Sequence, residues 1–424
     1  MTLIMGIVFL VTLLFGVPIA FVVGIASLVT IIIQGVIPLN AIPQYMFIGL
    51  DSFPLLAIPF FILAGELMGR SGISRSLIDF CLVLFGRMPG ALAEVNIGVS
   101  IFFAGITGAA VADTAAVGSI LIPAMKKEGY GAAYSAAVTS ASSCIGPIIP
   151  PSIILVVYGI AANVSIASLL IAGILPGILL GVCQGILALF QAIRHKYPRR
   201  SEKFSIIQLV QAFIRALPAL IMPLIIVGGI MGGVTTATEA AAIAVVYSLF
   251  VGLVNASIKF KDLPEIIFKA SITVGMVLMV LATAKLFSNV LVMNQIPTML
   301  SDAFLSISSN PVVIILMINL LLLIVGMFME ISAACIILAP ILLPVVVQLG
   351  FDPVHFGIIM CVNLALGLAT PPVGATLYVG CRIAKVSMAE ITTAILPYLL
   401  ASIVALLIIT FVPEISLLLP SLFI

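Results

Sequence analysis

The chain is dominated by a succession of apolar runs, at about 3–33, 54–69, 72–86, 94–125, 131–163, 168–193, 214–232, 237–256, 265–293, 311–348, 354–381 and 391–412. An α-helix needs roughly 20 apolar residues to cross a bilayer, and most of these runs approach or exceed that length. Of the 424 residues, 63% are hydrophobic and 8% charged. Soluble domains are about one-quarter charged, so this chain has too few charges to clothe a soluble surface. It is expected to be an all-α polytopic membrane protein in the lipid bilayer, with about ten or more crossings.

The same composition removes other classes. A formal net charge of +2 leaves no footprint for a polyanion, so nucleic acid is not an expected partner. Cys81, Cys144, Cys183, Cys335, Cys361 and Cys381 lie in apolar runs without CxxC spacing, and His195 and His355 are far apart. Neither a disulfide framework nor a metal site is expected. The N-terminal run has no positive segment before it, so it is read as the first span and not as a cleaved signal.

Positive charge orients the spans. Residues 1–69 and 386–424 contain no Lys or Arg, whereas the connector 194–213 opens with Arg194, Lys196, Arg199, Arg200 and Lys203. The connector is therefore expected on the cytoplasmic side and both termini outside. Counting each run as a crossing, with 94–125 and 311–348 as hairpins, also puts Arg87, Lys126, Lys127, Lys259, Lys261, Arg382 and Lys385 inside. Arg70 and Arg75 fall outside on this count, against the trend. Glu66, Glu239, Lys285 and Asn363 fall within spans and are read as helix–helix hydrogen-bond partners.

A self-similarity at a constant offset of 221 residues organises the rest. It pairs Gly105 with Gly326, Pro123 with Pro344, Gly129 with Gly350 and Gly146 with Gly367. It continues with Pro150 and Pro151 against Pro371 and Pro372, Gly159 against Gly380, and Pro176 against Pro397. About one such match in this window is expected by chance. On the orientation above, the first half (1–193) runs from outside to inside and the second (214–424) from inside to outside. The copies are then inverted, a recurring plan of secondary transporters.

The repeated breakers have a chemical consequence. Proline lacks the N–H of the helical bond, so GPIIPPS (146–152) and GLATPPVG (367–374) are expected to unwind the helices at 131–163 and 354–381. Carbonyls without partners are costly in hydrocarbon unless buried or bound to something. Rings of them suit Na⁺, while the N-terminus of each following half-helix suits an anion. The turns of the hairpins at about 94–125 and 311–348 carry Asp113 and Thr114 in the first, and Glu330 in the second. An ionisable group at membrane depth is by default a functional candidate.

AIPFFILAGELM, GITGAAVADTAAVGSILIPAM, GPIIPPSIILVVYG and GLATPPVGATLYV together closely resemble the large membrane (permease) subunit of tripartite ATP-independent periplasmic (TRAP) transporters, over nearly the whole chain. The resemblance implies an elevator-type transporter of the bacterial inner membrane, with two inverted repeats each carrying a re-entrant hairpin and a broken helix. It implies no cofactor beyond Na⁺ as coupling ion, and an organic-acid substrate: a sialic acid, a C4-dicarboxylate or a sugar acid. It further implies two partners, a small four-helix membrane subunit and a periplasmic substrate-binding protein. By motif position, a first Na⁺ site would join Thr107 to Gly146, Ile149 and Pro151. A second would join Gly326 and Met329 to Gly367, Thr370 and Pro372. Two other readings of the residues stand beside this one: a self-sufficient sodium- or proton-coupled carboxylate carrier, and an intramembrane enzyme acting through Asp113.

Overall fold

The computed structural model describes residues 2–35, 37–197, 205–308 and 310–423; Arg199, Arg200 and Lys203 of the basic connector lie outside them. Every regular element among the described residues is helical, and eight helices are long and apolar enough to cross a membrane. The first half contains α1 (Thr2–Leu14), α2 (Ile19–Gln34), α3 (Ala41–Ile48), α4 (Ala57–Arg70) and α5 (Ile73–Phe85), followed by the first hairpin, α6 (Ala91–Thr107) and α7 (Ala110–Lys127). The first broken helix is α8 (Ala132–Ser142) and α9 (Ile153–Ala162), and α10 (Ile166–Ala172) and α11 (Ile174–Arg194) close the half.

The second half contains α12 (Ile206–Met231), α13 (Ala237–Val254), α14 (Leu263–Met293) and α15 (Ile296–Ile307). Its hairpin is α16 (Pro311–Phe328) and α17 (Ile331–Gln348), its broken helix α18 (Pro353–Gly367) and α19 (Ala375–Ala384), and it ends with α20 (Met388–Phe411) and α21 (Glu414–Phe423). α7 and α17 each have 18 residues and begin 221 positions apart, at Ala110 and Ile331. α8 and α18 begin at the same spacing, at Ala132 and Pro353. Side-chain caps explain several of the starts. Ser387 and Glu390 form a capping box on α20, and Asp352 accepts from the Val354 and His355 amides of α18. Each such cap is worth about 1 kcal/mol.

Two groups of helices result. α1, α2, α4, α12, α13 and α14 make an outer frame in which α2 packs on α14, and α4 on both α13 and α14. The hairpins and broken helices pack together beside it. α16 lies on α18, α17 on α9, α7 on α19, and α8 on α19 and α20. α18 is the most enclosed element, with every residue from His355 to Gly367 buried.

Within this second group, buried side-chain hydrogen bonds tie each hairpin to its neighbouring helix. Asn96 Nδ2 donates to Thr139 Oγ1 (2.7 Å), Ser142 Oγ to Asn96 Oδ1 (3.3 Å) and Ser100 Oγ to Ser142 Oγ (2.9 Å). In the other half Asn363 Nδ2 donates to Asn319 Oδ1 (2.9 Å), and Asn319 Nδ2 to Thr410 Oγ1 (3.1 Å). Ser142 and Asn363 are 221 positions apart. Asn363 is thus the helix–helix partner expected of it. Glu239 is not: it is exposed and caps its own helix, accepting from the Thr236 amide at 2.7 Å.

Two of the expected spans are corrected. The run 3–33 is two helices, α1 and α2, folded back on each other through a turn at Gly16, where φ is +74°. The run 72–86 forms the 13-residue helix α5, which packs against α6 and α12. α5 buries Leu77, Ile78 and Cys81 on one face and exposes Arg75 and Asp79 on the other. Arg70 pairs with Glu265 at 2.7 Å, and Ser257 Oγ donates to the Ser71 carbonyl at 2.8 Å. These contacts hold Arg70 at the end of the molecule that carries Lys259 and Lys261. If the apolar α1–α2 pair counts as one crossing more and α5, with its charged face, as one fewer, the side expected for everything from Arg87 onward is unchanged. The anomaly at Arg70 and Arg75 disappears.

Candidate functional site

The hairpin tips and the two breaks converge on one cavity of about 410 Å³. Residues 108–111 and 326–332 of the tips line it, with Pro147, Ile153 and Ile154 from the first break and Leu368, Val373 and Ala375 from the second. The frame closes it with Ile62 of α4 and Thr273 and Val277 of α14. Its size is that of a small-molecule site.

At the first break the chain leaves helical geometry after Ile145 and resumes it at Ile153, and the Pro150–Pro151 peptide is cis. Ser152 caps α9: its Oγ accepts from the Leu155 amide at 3.2 Å and donates to the Pro147 carbonyl. The first hairpin tip closes over this segment. Gly108 has φ +60°, and a Cβ there would stand 2.8 Å from the Pro151 carbonyl oxygen. Only glycine fits both the backbone conformation and the approach. Asp113, in the first turn of α7, is fully buried, and its Oδ2 lies where a Cβ on Gly146 would project. Thr114 is buried as well, with its hydroxyl bonded to the Ala110 carbonyl of its own helix at 2.9 Å. Thr107 ends α6 in the same tip, its side chain outside the described residues. Ile149 is half-buried, and its side chain packs where a Cβ on Gly177 would project.

The second break has the same plan with different chemistry. The Pro371–Pro372 peptide is cis. Thr370 donates its Oγ1 to the Leu366 carbonyl (2.7 Å) and its amide to the Gly367 carbonyl (3.0 Å). Thr376 satisfies the Leu368 carbonyl twice, through Oγ1 at 2.9 Å and its amide at 3.1 Å. Gly326 and Gly367 meet backbone to backbone: a Cβ on Gly326 would lie 3.2 Å from the Gly367 Cα, and one on Gly367 would overlap the Gly326 backbone. Met329 is half-buried and extended between the hairpin arms. Glu330 caps α17, accepting from the Ala333 amide at 2.8 Å, and is exposed to the cavity. Pro372 and Val373 are exposed where their counterparts Pro151 and Ser152 are buried.

The residues assigned in the sequence to the two ion sites and to the hairpin turns therefore lie in or beside this region. Those of the first set gather at the first tip and break, and those of the second at the second. Among the described residues no backbone amide donates to the carbonyls of Ile149, Pro150 or Pro151, or to those of Thr370, Pro371 or Pro372. Around the cavity, the opening residues of four helices face inward: Ala110 of α7, Ile153 of α9, Ile331 of α17 and Ala375 of α19. Each N-terminus carries roughly half a positive charge. Ser152 and Glu330 cap α9 and α17, whereas the N-cap residues of α7 and α19, Ala109 and Gly374, have no side-chain oxygen to offer. Sequence reasoning missed Thr376, whose only signal is that it is the first hydroxyl after the break. Thr273, Val277 and Ile62 carry no local signal, because only tertiary packing brings the frame to the cavity.

Comparison with known proteins gives these features a family. The family model described as "Tripartite ATP-independent periplasmic transporter, DctM component" matches residues 6–415. The YgiK protein of Salmonella typhimurium is 44% identical over 98% of this chain and 96% of its own. The isethionate TRAP transporter permease protein DctMQ of Oleidesulfovibrio alaskensis is 41% identical over 94% of this chain, which spans 63% of that longer protein. The sialic acid TRAP transporter large permease protein SiaM of Vibrio cholerae is 37% identical, with 96% of each chain covered. In fold, the chain is similar to the YdaH transporter of Alcanivorax borkumensis, with a TM-score of 0.63, 16% identity and 86% of each chain covered. The chain belongs to the large permease (DctM) family of the tripartite ATP-independent periplasmic transporters.

Proposed function

We propose that this chain is the large permease of a sodium-coupled transporter that imports an organic acid into the bacterial cytoplasm by an elevator movement. The observation that carries the reading is the central cavity, where four helix N-termini meet beside two clusters of carbonyls to which no backbone amide of the described residues donates. Helix N-termini favour an anion, and carbonyl oxygens favour a hard cation such as Na⁺. The first Na⁺ site is assigned to the Thr107 tip with Gly146, Ile149 and Pro151, and the second to Gly326 and Met329 with Gly367, Thr370 and Pro372. Asp113 at Gly146 contributes negative charge to the first, and Glu330 borders the substrate.

The matched helix starts support two inverted repeats, 1–193 and 214–424, joined by the basic connector 194–213. In the elevator reading, the hairpins and broken helices move as one body against the frame. The inner membrane is the assigned location, with both termini in the periplasm. The relatives named for sialic acid and isethionate support a carboxylate or sulfonate cargo. In the same reading, a periplasmic binding protein delivers the cargo and a small four-helix subunit completes the permease.

The test separates ion from substrate. With the small subunit present, the melting temperature of the purified permease is followed as NaCl replaces choline chloride at constant ionic strength. A ligand at a hundredfold excess over its Kd stabilises by about 2.7 kcal/mol, so a Na⁺-specific rise is expected. Uptake of sialic acid, a C4-dicarboxylate and isethionate by proteoliposomes, each with a cognate binding protein, then identifies the cargo. Equal melting and equal uptake in the two salts would overturn sodium coupling.

A further inference from the structure

Lys285 is the one cation of the described residues that does not belong to the basic end of the molecule. Arg70, Arg75, Arg87, Lys126, Lys259 and Lys385 are all held there by short connections and contacts such as Arg70 to Glu265 and Lys126 Nζ to the Ala384 carbonyl. Lys285 stands instead in the far part of α14, about 12 Å before that helix ends near Met293. There Asn294 accepts from Gln34 at the end of α2. A lysine at such depth is costly unless it faces water or a partner. Among the described residues no carboxylate lies within ion-pair distance of it, and its side chain is exposed.

What it faces is a second cavity, of about 170 Å³, bordered by the hydroxyls of Ser52 and Ser288, by Ile160 near the end of α9, and by Ile336 and Pro340 of α17. Gly49 makes this arrangement possible, because a Cβ there would lie 2.6 Å from the Lys285 Cβ. The two cavities are stacked along one face of α14. Thr273 and Val277 line the central one, and Leu281 and Lys285, at the same four-residue spacing, line the second. α9 and α17 also border both. Among the described residues, no lysine or arginine lines the central cavity.

We propose that Lys285 is an outer anion-binding residue, holding the carboxylate or sulfonate of the cargo in the upper cavity before it descends along α14 to the helix N-termini. Ser52 and Ser288 supply hydroxyl donors beside the ammonium. The inference rests on the reading that the cargo is an organic anion, and its test needs no transport.

Ser288→Cys puts a reporter thiol one helical turn from Lys285, in a background where the half-buried Cys183 and Cys381 are replaced by alanine. Intact cells bearing the assembled permease are treated from outside with an anionic reagent (sulfonatoethyl methanethiosulfonate) or a cationic one (trimethylammonioethyl methanethiosulfonate). The rates are normalised to each reagent's reaction with a free thiol. A cleft of one charge sign raises the local concentration of counter-ions by ten-fold or more. The anionic-to-cationic rate ratio is therefore expected to fall about tenfold in Lys285→Gln and to persist in Lys285→Arg. An unchanged ratio in Lys285→Gln, or a thiol that neither reagent reaches, would overturn the proposal. A cargo that proved not to be an anion would appear in the uptake assay and leave this ratio untouched, so the two failures are distinguishable.

Discussion

At the scale of single residues, the second break depends on the absence of two side chains. Gly326 and Gly367 touch through their backbones, and a methyl group on Gly367 would overlap the Gly326 main chain. Overpacking of this kind costs about 1–3 kcal/mol, so Gly367→Ala is expected to lower the melting temperature and erase any Na⁺-specific rise. Gly228→Ala, with nothing within 4 Å of its Cβ, is the control, neutral or stabilising by up to about 1 kcal/mol. Glu330 supports a finer prediction. Its carboxylate caps α17 and also borders the cavity, where it opposes an anionic cargo. Glu330→Gln keeps an acceptor for the Ala333 amide and removes the charge, so the KM for the anion should fall several-fold in the uptake assay. Glu330→Ala should in addition lose about 1 kcal/mol of stability with the cap. A rise in KM for Glu330→Gln would make the carboxylate a substrate ligand. The glycines were legible in the sequence, because breakers weaken a helix and recur at a fixed spacing inside apolar runs only where the backbone itself must bend. The capping role of Glu330 was not, because a lone charge at membrane depth reads as a ligand before the helix start beside it is placed.

At the scale of elements, each hairpin is fastened to its neighbouring helix by a buried polar contact, and the two contacts share the position of Ser142 and Asn363. Interhelical hydrogen bonds of this kind contribute about 0.6 kcal/mol on average and up to ~2 in model peptides. Asn363→Leu should therefore destabilise the fold by about that amount. Combined with Asn319→Leu it should cost less than the two changes summed, since both remove the same bond (2.9 Å). Strict additivity in chemical unfolding would mean that the pair is not coupled. The hairpins and broken helices were readable because glycine and proline mark their own backbone. The surface helices were not: α5 reads as a span of ordinary hydropathy, and only its one-sided burial and the contacts at its start show otherwise. The packing differences between the halves were equally hidden. α5 lies on α6, whereas α15 lies on α17, and nothing local in either sequence reports which arm of a hairpin a distant helix will touch.

At the scale of the whole molecule, the corrected count of crossings gathers the basic residues at one end and leaves Lys285 as the exception. Translocation disfavours Lys and Arg in short loops, so that end should be the cytoplasmic one, with Arg75 among its residues. The uncorrected count puts Arg75 in the periplasm while leaving Lys261 inside, so this residue separates the two topologies. Single cysteines at Arg75, Lys261 and Asn163 are the measurement, in a background with Cys183 and Cys381 replaced. Asn163 ends α9 at the opposite extremity of the first broken helix from Tyr130 and the basic loop before it. An impermeant maleimide should label Asn163→Cys in intact cells, and Arg75→Cys and Lys261→Cys only in inverted vesicles. Labelling of Arg75→Cys in intact cells would restore α5 as a crossing and dissolve the balance with the α1–α2 turn. It would also separate Arg70 from Glu265, which lies on the cytoplasmic side of α14 in both counts. The 2.7 Å ion pair and the periplasmic assignment of Arg75 are therefore incompatible, and the labelling pattern decides between them.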